Sequence, residues 1–337
     1  VLAPHPVETV EQFVAAVRES GIVGLGGAGF PASVKLAADP ARVDYIVLNG
    51  AECEPYITSD TRTMLDRVAD MKRALLAMNE YFGIKDIVIG IENNKKAAIK
   101  SMMSLMKEMA AEGKCRFTVK ALPAVYPQGG EKQLIDAVIG RQVPAPPAIP
   151  ISVGAVVQNV GTAFAIYEAV MKNKPLISRI ITVTGKSVKN PSNLLARLGT
   201  PFSQLIEECG GLPADTGKII GGGPMMGKAL ISLDIPMTKG SSGLLIMNDK
   251  EARRAEPEPC IRCAKCVGAC PMGLEPYLLA KISSQNMWEE AEKEDIVSCI
   301  ECGSCAFTCP SHRPLLDNIR LGKSTVMGII RERAAKK

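Results

Sequence analysis

Histidine is almost absent: His5 and His312 are the only two among 337 residues. A chemistry driven by a histidine base, or by a nucleophile–histidine triad, is therefore not expected. Tryptophan occurs once, at Trp288, and aromatic residues make up 4% of the chain. The net charge is only +5, and no aromatic-and-arginine stripe accompanies it, so no nucleic acid is expected as a partner. No run of about 18 apolar residues occurs, so the chain is not expected to span a membrane itself. The start shows no charged-then-apolar signal segment. It begins at Val1 without an initiator methionine, which reads as a trimmed or partial piece of something longer.

What the chain does have is cysteine. Of eleven, eight fall between Cys260 and Cys309, while Cys53, Cys115 and Cys209 are scattered. Without a signal segment, such clustering points to metal in a reducing compartment rather than to disulfides. The first run is Cys260-Ile-Arg-Cys263-Ala-Lys-Cys266-Val-Gly-Ala-Cys270-Pro271, and the second is Cys299-Ile-Glu-Cys302-Gly-Ser-Cys305-Ala-Phe-Thr-Cys309-Pro310. Both follow the bacterial ferredoxin spacing of three thiolates two residues apart and a fourth before proline, which reaches the other cluster. Two 4Fe-4S clusters are therefore expected. Cys260, Cys263, Cys266 and Cys309 would hold one; Cys299, Cys302, Cys305 and Cys270 would hold the other. A zinc site draws on two pairs rather than triplets plus one. Cys115 and Cys209 read as structural thiols. A pair of clusters carries electrons, so their source or sink is to be sought upstream.

Upstream, apolar runs alternate with helical patterns, the signature of a parallel α/β sheet. A helix is expected over residues 8–20, strands over Tyr45–Leu48, Ile87–Glu92 and Arg116–Leu122, and helices over about 61–82 and 95–111. The methionines of the last helix, Met102 to Met109, read as core or helix surface rather than a cofactor box. QVPAPPAIP (residues 142–150) has four prolines and is expected to be an extended strap. GAVVQNV and the helix Gly161–Met171 complete this part. From Ser178 the texture becomes a small α+β unit. ISRIITVTG is a strand, NPSNLLARLGTP and FSQLIEECGG read as short helices, and KIIGGGPMMG and SGLLIMN supply strands and turns. A charged linker, NDKEARRAEPEP, leads to the cysteine module, which reads helical between its two runs. The expected division is 1–175, 176–248 and 249–337.

GLGGAGFP (Gly24–Pro31) follows a helix, not a strand, so it is no dinucleotide fingerprint. It reads either as a tight packed turn or as a loop whose bare N–H groups cradle a phosphate, with Lys35 supplying charge.

GLGGAGFPASVK and NGAECEP (Asn49–Pro55) together resemble the flavin-binding subunit of respiratory complex I. With YPQGGEKQL, VVQNVGTA and GGGPMMG, nearly the whole chain resembles the RnfC family, the peripheral subunits of Rnf ion-pumping ferredoxin:NAD oxidoreductases. The resemblance implies an α/β FMN-binding domain, a small α+β β-grasp (soluble ligand binding) domain and an α-helical ferredoxin module with two 4Fe-4S clusters. It implies FMN as cofactor and NAD(H) as substrate. Gly24, Gly26, Gly27 and Lys35 match the FMN phosphate loop; Asn49, Glu52 and Cys53 match positions beside the flavin ring. Gly129 and Glu131, and Gln158, Asn159 and Thr162, match two further flavin contacts. Phe30 and Glu54 match residues that engage NADH. Gly130 and Gly161 depart from the pattern, each standing where complex I subunits carry glutamate. Other Rnf membrane subunits and the iron–sulfur subunit would be partners, at the cytoplasmic face of the cell membrane. Two rival readings are an RnfC-like carrier serving a dedicated reductase, for example proline reductase, and a non-enzymatic module with another phosphate ligand.

Overall fold

Long amphipathic helices separate the short apolar runs, so the strands have room to pair in parallel through crossovers. The protein is described here by a computed structural model covering residues 7–83, 86–113 and 116–336. His5 and Cys115 lie outside the described residues. Two compact units are present: one of residues up to Pro144 together with Ala148–Glu251, and one of Ala252–Lys337 with the short piece Ala145–Pro147. Among the described residues, no helix is long and apolar enough to cross a membrane.

In the first unit, strands β1 (Tyr45–Gly50), β2 (Asp86–Glu92), β3 (Arg116–Leu122) and β4 (Ala155–Asn159) form a parallel sheet in the order β3-β2-β1-β4. Around it lie α1 (Val10–Glu19), α2 (Ala32–Leu36), α3 (Ser59–Asp66), α4 (Val68–Phe82), α5 (Lys96–Glu112), α6 (Glu131–Ile139) and α7 (Val160–Lys172). The period of two along each strand sorts its side chains to two faces. Ile46, Leu48, Ile87 and Ile89 join Phe13, Met64, Leu75 and Met102 in one core. Val47, Val88 and Val157 join Leu134, Ile135 and Val138 in the other. Each fully buried side chain of this size contributes about 1.5–3 kcal/mol. Met102, Leu105 and Met109 are buried on one face of α5, as core. Helix α1 starts where Thr9 accepts a hydrogen bond from Gln12 N–H, a side-chain cap. The single helix expected over 61–82 is broken: Arg67 leaves the helical conformation between α3 and α4, and its guanidinium lies 5.3 Å from the Phe164 ring centre.

The second sheet of this unit has the order β6-β5-β9-β7-β8. Its strands are β5 (Ser178–Thr184), β6 (Ser192–Arg197), β7 (Thr216–Gly221), β8 (Lys228–Ala229) and β9 (Gly243–Asn248), with α8 (Phe202–Glu208) between β6 and β7 and α9 (Asp249–Ala252) at the end. One sequence expectation fails here. Residues 190–201 do not form a short helix; Ser192–Arg197 is strand β6, antiparallel to β5 from Ser178↔Arg197 to Val183↔Ser192. Leu, Ala and Arg favour a helix locally, but a six-residue segment gains more from a sheet partner than from propensity. FSQLIEE does form α8, and its Phe202, Leu205 and Ile206 are buried with Cys209.

The second unit contains α10 (Lys265–Gly268), α11 (Pro276–Ser284), α12 (Trp288–Lys293), α13 (Ser304–Phe307) and α14 (Leu315–Ala335). Leu279, Ile282, Ala291, Ile296, Leu315, Ile319 and Val326 make its core.

Candidate functional site

In the strand order β3-β2-β1-β4 the connections run one way from β1 to β2 and β3, and the other way to β4. A crevice at such a reversal, outside the carboxyl ends of the strands, is where open α/β sheets bind ligands. Asn49, next to last in β1, and Asn159, last in β4, stand side by side in register. Asn159 accepts from the Gly161 and Thr162 N–H groups, capping α7, and donates to Asp60 Oδ2 at 2.6 Å. Asn49 donates to the Gly129 carbonyl at 2.8 Å. Gly129 must be glycine: a Cβ there would fall 2.1 Å from the Ala51 carbonyl oxygen and 3.1 Å from Cys53 Sγ. Burial pushes the Cys53 thiol up to about 11, so it is a packed thiol rather than a thiolate.

The glycine loop closes over this edge. Gly24 N–H donates to the Phe30 carbonyl at 2.8 Å, and Leu25 N–H donates to Thr162 Oγ1 at 2.8 Å. Gly26 packs on the Asn159 side chain, while a Cβ at Gly27 or Gly29 would meet nothing within 4 Å. Gly27 adopts φ +112°, a conformation that only glycine takes readily. Among the described residues, the N–H groups of Gly26, Gly27, Ala28 and Gly29 form no hydrogen bond. Consecutive free N–H groups in a loop are an anion cradle. Lys35, on α2, donates to Glu131 at 2.5 Å and to the Val157 carbonyl at 3.3 Å, which ties the loop's far end to α6 and β4. Gln158 is 2% exposed, and its amide nitrogen has no partner among the described residues. A phosphate-bearing flavin fits this donor-rich edge.

Two acidic side chains of the 49–57 loop act differently. Glu52 accepts from the Asp60 and Thr61 N–H groups at 2.8 and 3.0 Å and from the Ser59 and Thr61 hydroxyls. It therefore satisfies the open N-terminus of α3, where Thr58 makes no side-chain cap. Glu54 turns to the second sheet. Its Oε1 accepts from Met225 and Met226 N–H at 2.7 and 3.0 Å, and Gly223 packs so closely that a Cβ would sit 2.0 Å from Glu54 Cγ. Burial raises Glu54, against those bonds and one from Tyr126. Phe30 is 47% exposed. The structure thus joins Gly26, Asn49, Asn159, Thr162, Gly129 and Cys53 into one contact network, with Gly24 and Gly27 in the adjoining loop, and links Lys35 to Glu131.

Sequence reasoning missed Asp60, Arg179 and the turn at Gly223–Met226. Burial, with the Glu52 charge, pushes Asp60 up to about 7, opposed by Asn159 and Arg179. Arg179 could have been noticed as the one cation inside the apolar run ISRIITVTG.

In the second unit the two cysteine runs repeat in backbone as well as in sequence. Arg262 and Glu301, then Ala264 and Gly303, take positive φ, and Gly273 and His312 do so after the fourth cysteines. One turn of helix follows at the same place in each run, α10 and α13. His312 is thereby a turn residue. Cys270, Cys299, Cys302 and Cys305 line one cavity, with Leu279 and Ile319 behind them. Burial pushes Cys305 up to about 12, and the nearby Cys299, Cys302 and Cys270 add to it. Cys309 instead neighbours Cys266. The fourth cysteine of each run thus lies with the other run's set. Glu301 N–H donates to Cys299 Sγ at 3.4 Å, and Lys323 binds the Cys299 carbonyl and Glu301. Among the described residues, no three His, Cys, Asp or Glu side chains converge on a single-ion position. Four sulfurs spaced around a cavity suit a cubane, in which each binds a different iron.

Comparisons with known proteins agree with this division of labour. The Nuo51 FMN-binding domain model matches residues 17–168, the SLBB domain model 180–229, and the 4Fe-4S dicluster domain model 252–310. The C subunit of the Na(+)-translocating ferredoxin:NAD(+) oxidoreductase complex of Acetobacterium woodii is 45% identical, over 92% of this chain and 69% of that protein. Its proton-translocating counterpart from Clostridium ljungdahlii is 44% identical, over 85% of this chain and 61% of that protein. The corresponding C subunit of the ion-translocating oxidoreductase complex of Rhodobacter capsulatus is 39% identical, over 97% and 62%. The chain thus spans about three-fifths to two-thirds of their lengths. In fold, it is similar to a chain of NAD+-reducing [NiFe]-hydrogenase in the H2-reduced state, with a TM-score of 0.66 at 15% identity, covering 94% of this chain and 63% of that one.

Proposed function

Since the chain belongs to the RnfC family of ion-translocating oxidoreductase subunits, we propose that it is the NADH- and FMN-handling electron-transfer subunit of a membrane-bound ferredoxin:NAD oxidoreductase. The observation that carries this is one chain holding both a free N–H cradle at a sheet's switch point and two repeated cysteine runs. FMN, when bound, exchanges a hydride with NAD(H) and single electrons with 4Fe-4S clusters.

The chain's own residues supply binding and positioning. The N–H groups of Gly26 to Gly29 and the Lys35 ammonium receive the phosphate, with Gly24 fixing the loop's entry. Asn49, Glu52, Cys53, Gly129 and Glu131 shape the edge where the flavin ring lies, and Gln158, Asn159 and Thr162 close it from β4 and α7. Phe30, exposed in the glycine loop, offers a face for the nicotinamide nucleotide, and Glu54, held by the Met225 and Met226 N–H groups, is the second residue assigned to NADH. Cys260, Cys263, Cys266 and Cys309 ligate one cluster; Cys299, Cys302, Cys305 and Cys270 the other. Residues 1–175, 176–248 and 249–337 serve as flavin, β-grasp and cluster domains. The partners are the complex's membrane subunits and its iron–sulfur subunit, and the chain sits peripherally at the cytoplasmic face of the membrane. The relatives' names favour this over service to a dedicated reductase.

The test is an anaerobic spectrum with iron and flavin counts, before and after NADH. Flavin and eight irons per chain, both bleached by NADH, are expected. Protein with clusters but no affinity for FMN would overturn the reading.

A further inference from the structure

Arg179 sits on β5 among Ile180, Ile181 and Val183 and is 5% exposed. Burying a guanidinium is a poor route to stability, since an apolar side chain of the same volume serves as well or better. What this one does is hold carbonyls. Its Nη2 donates to the Leu25 carbonyl at 3.1 Å, its Nε to the Ile180 carbonyl at 3.3 Å, and its Nη1 to the Lys239 carbonyl. Lys239 reaches on to the Gly21 carbonyl at 2.5 Å, and a Cβ at Gly240 would be 3.5 Å from the Gly27 carbonyl oxygen. Strand β5 and the turn before β9 therefore hold the backbone of the glycine loop and of Gly21 ahead of it.

Peptide planarity turns that grip into an orientation. In a trans peptide the C=O of one residue and the N–H of the next point in opposite directions. With the Leu25 carbonyl drawn onto Arg179, the Gly26 N–H must point away from it, and there it meets no acceptor among the described residues. The preceding peptide is fixed as well, because Leu25 N–H is bound to Thr162 Oγ1. We infer that Arg179, from the β-grasp part of the chain, is a positioning residue for phosphate binding: it sets the Leu25–Gly26 peptide so that the loop's N–H groups face the phosphate. Asp60 and Glu52 are the nearby carboxylates that balance its charge. The inference rests on the glycine loop being the FMN phosphate site.

The experiment compares FMN with riboflavin, which lacks the phosphate, by flavin fluorescence quenching on flavin-free full chain prepared anaerobically. The wild type is expected to prefer FMN strongly. Arg179→Gln is expected to weaken FMN about 10-fold, the worth of a lost charge-assisted orientation, and to leave riboflavin within about twofold. Arg179→Lys carries the same comparison should Arg179→Gln fail to fold, because the three carbonyls are bound by three separate guanidinium nitrogens, a spread that the single nitrogen of an ammonium does not match. Equal losses on both flavins, or none, would overturn the inference and mark Arg179 as structural glue. A wild type that binds neither flavin would overturn the flavin reading beneath it.

Discussion

Burial and the Glu52 carboxylate push Asp60 up to about 7 from an ordinary value of 3.8. A carboxyl raised by folding stabilises in its protonated form. That contribution is fully present below about pH 4 and is lost as pH rises through about 7. Asp60→Asn keeps an acceptor for Asn159 and removes the titration, so thermal melts should show higher stability than wild type at pH 8 and little difference at pH 4. Equal melting shifts at both values would refute the assignment. At Gly129 the limit is space rather than charge. Gly129→Ala drives a Cβ into the Ala51 carbonyl, and a loss of about 2 kcal/mol or more is expected in urea unfolding. Phe30, half exposed, can be truncated without opening the core. Phe30→Ala should lower kcat/KM for NADH about 10-fold or more while leaving flavin content unchanged; unchanged turnover would remove it from the nucleotide site.

Helix α14 carries two glycines with opposite predictions at the scale of an element. Gly322 is buried, and a Cβ there would lie 2.1 Å from Ser283 Oγ on α11. Gly328 has nothing within 4 Å. On helix propensity alone, alanine at either position gains about 1 kcal/mol. Packing reverses the sign at Gly322: Gly322→Ala should destabilise by about 1–3 kcal/mol, and Gly328→Ala should stabilise by about 0.5–1 kcal/mol. Melts of the cluster-loaded protein would separate the two. The same competition explains why one expected helix is a strand. Ser192–Arg197 lacks a strand's alternation in its formers, yet a neighbouring edge on β5 was available to it. The break at Arg67 likewise leaves no mark in local pattern; there the guanidinium lies over the Phe164 ring of another helix, a contact that local sequence does not show.

For the whole molecule, crossed ligation gives a non-additive test. Cys263→Ala with Cys309→Ala strikes one proposed cluster twice, so the double variant should lose no more iron than either single change, about half. Cys263→Ala with Cys270→Ala strikes both, and nearly all iron should go. The reverse pattern, with nearly all iron lost in the first double and about half in the second, would mean that each run keeps its own fourth cysteine.

The cysteine runs were legible because cluster ligation is written in spacing, and the two runs fold alike down to their left-handed residues. The glycine loop was legible as a loop, since its glycines and Pro31 permit little else. Which of its atoms face outward was not. That depends on Thr162 and Arg179, held 137 and 154 residues from Leu25 in sequence, and on the pairing that seats Asn159 beside Asn49. By itself the sequence determined the chemistry available: eight thiolates, a flexible loop and almost no histidine. Only the tertiary structure decided that Glu52 caps a helix while Glu54 holds a turn, because such roles follow from which backbone donors folding leaves nearby and unpaired.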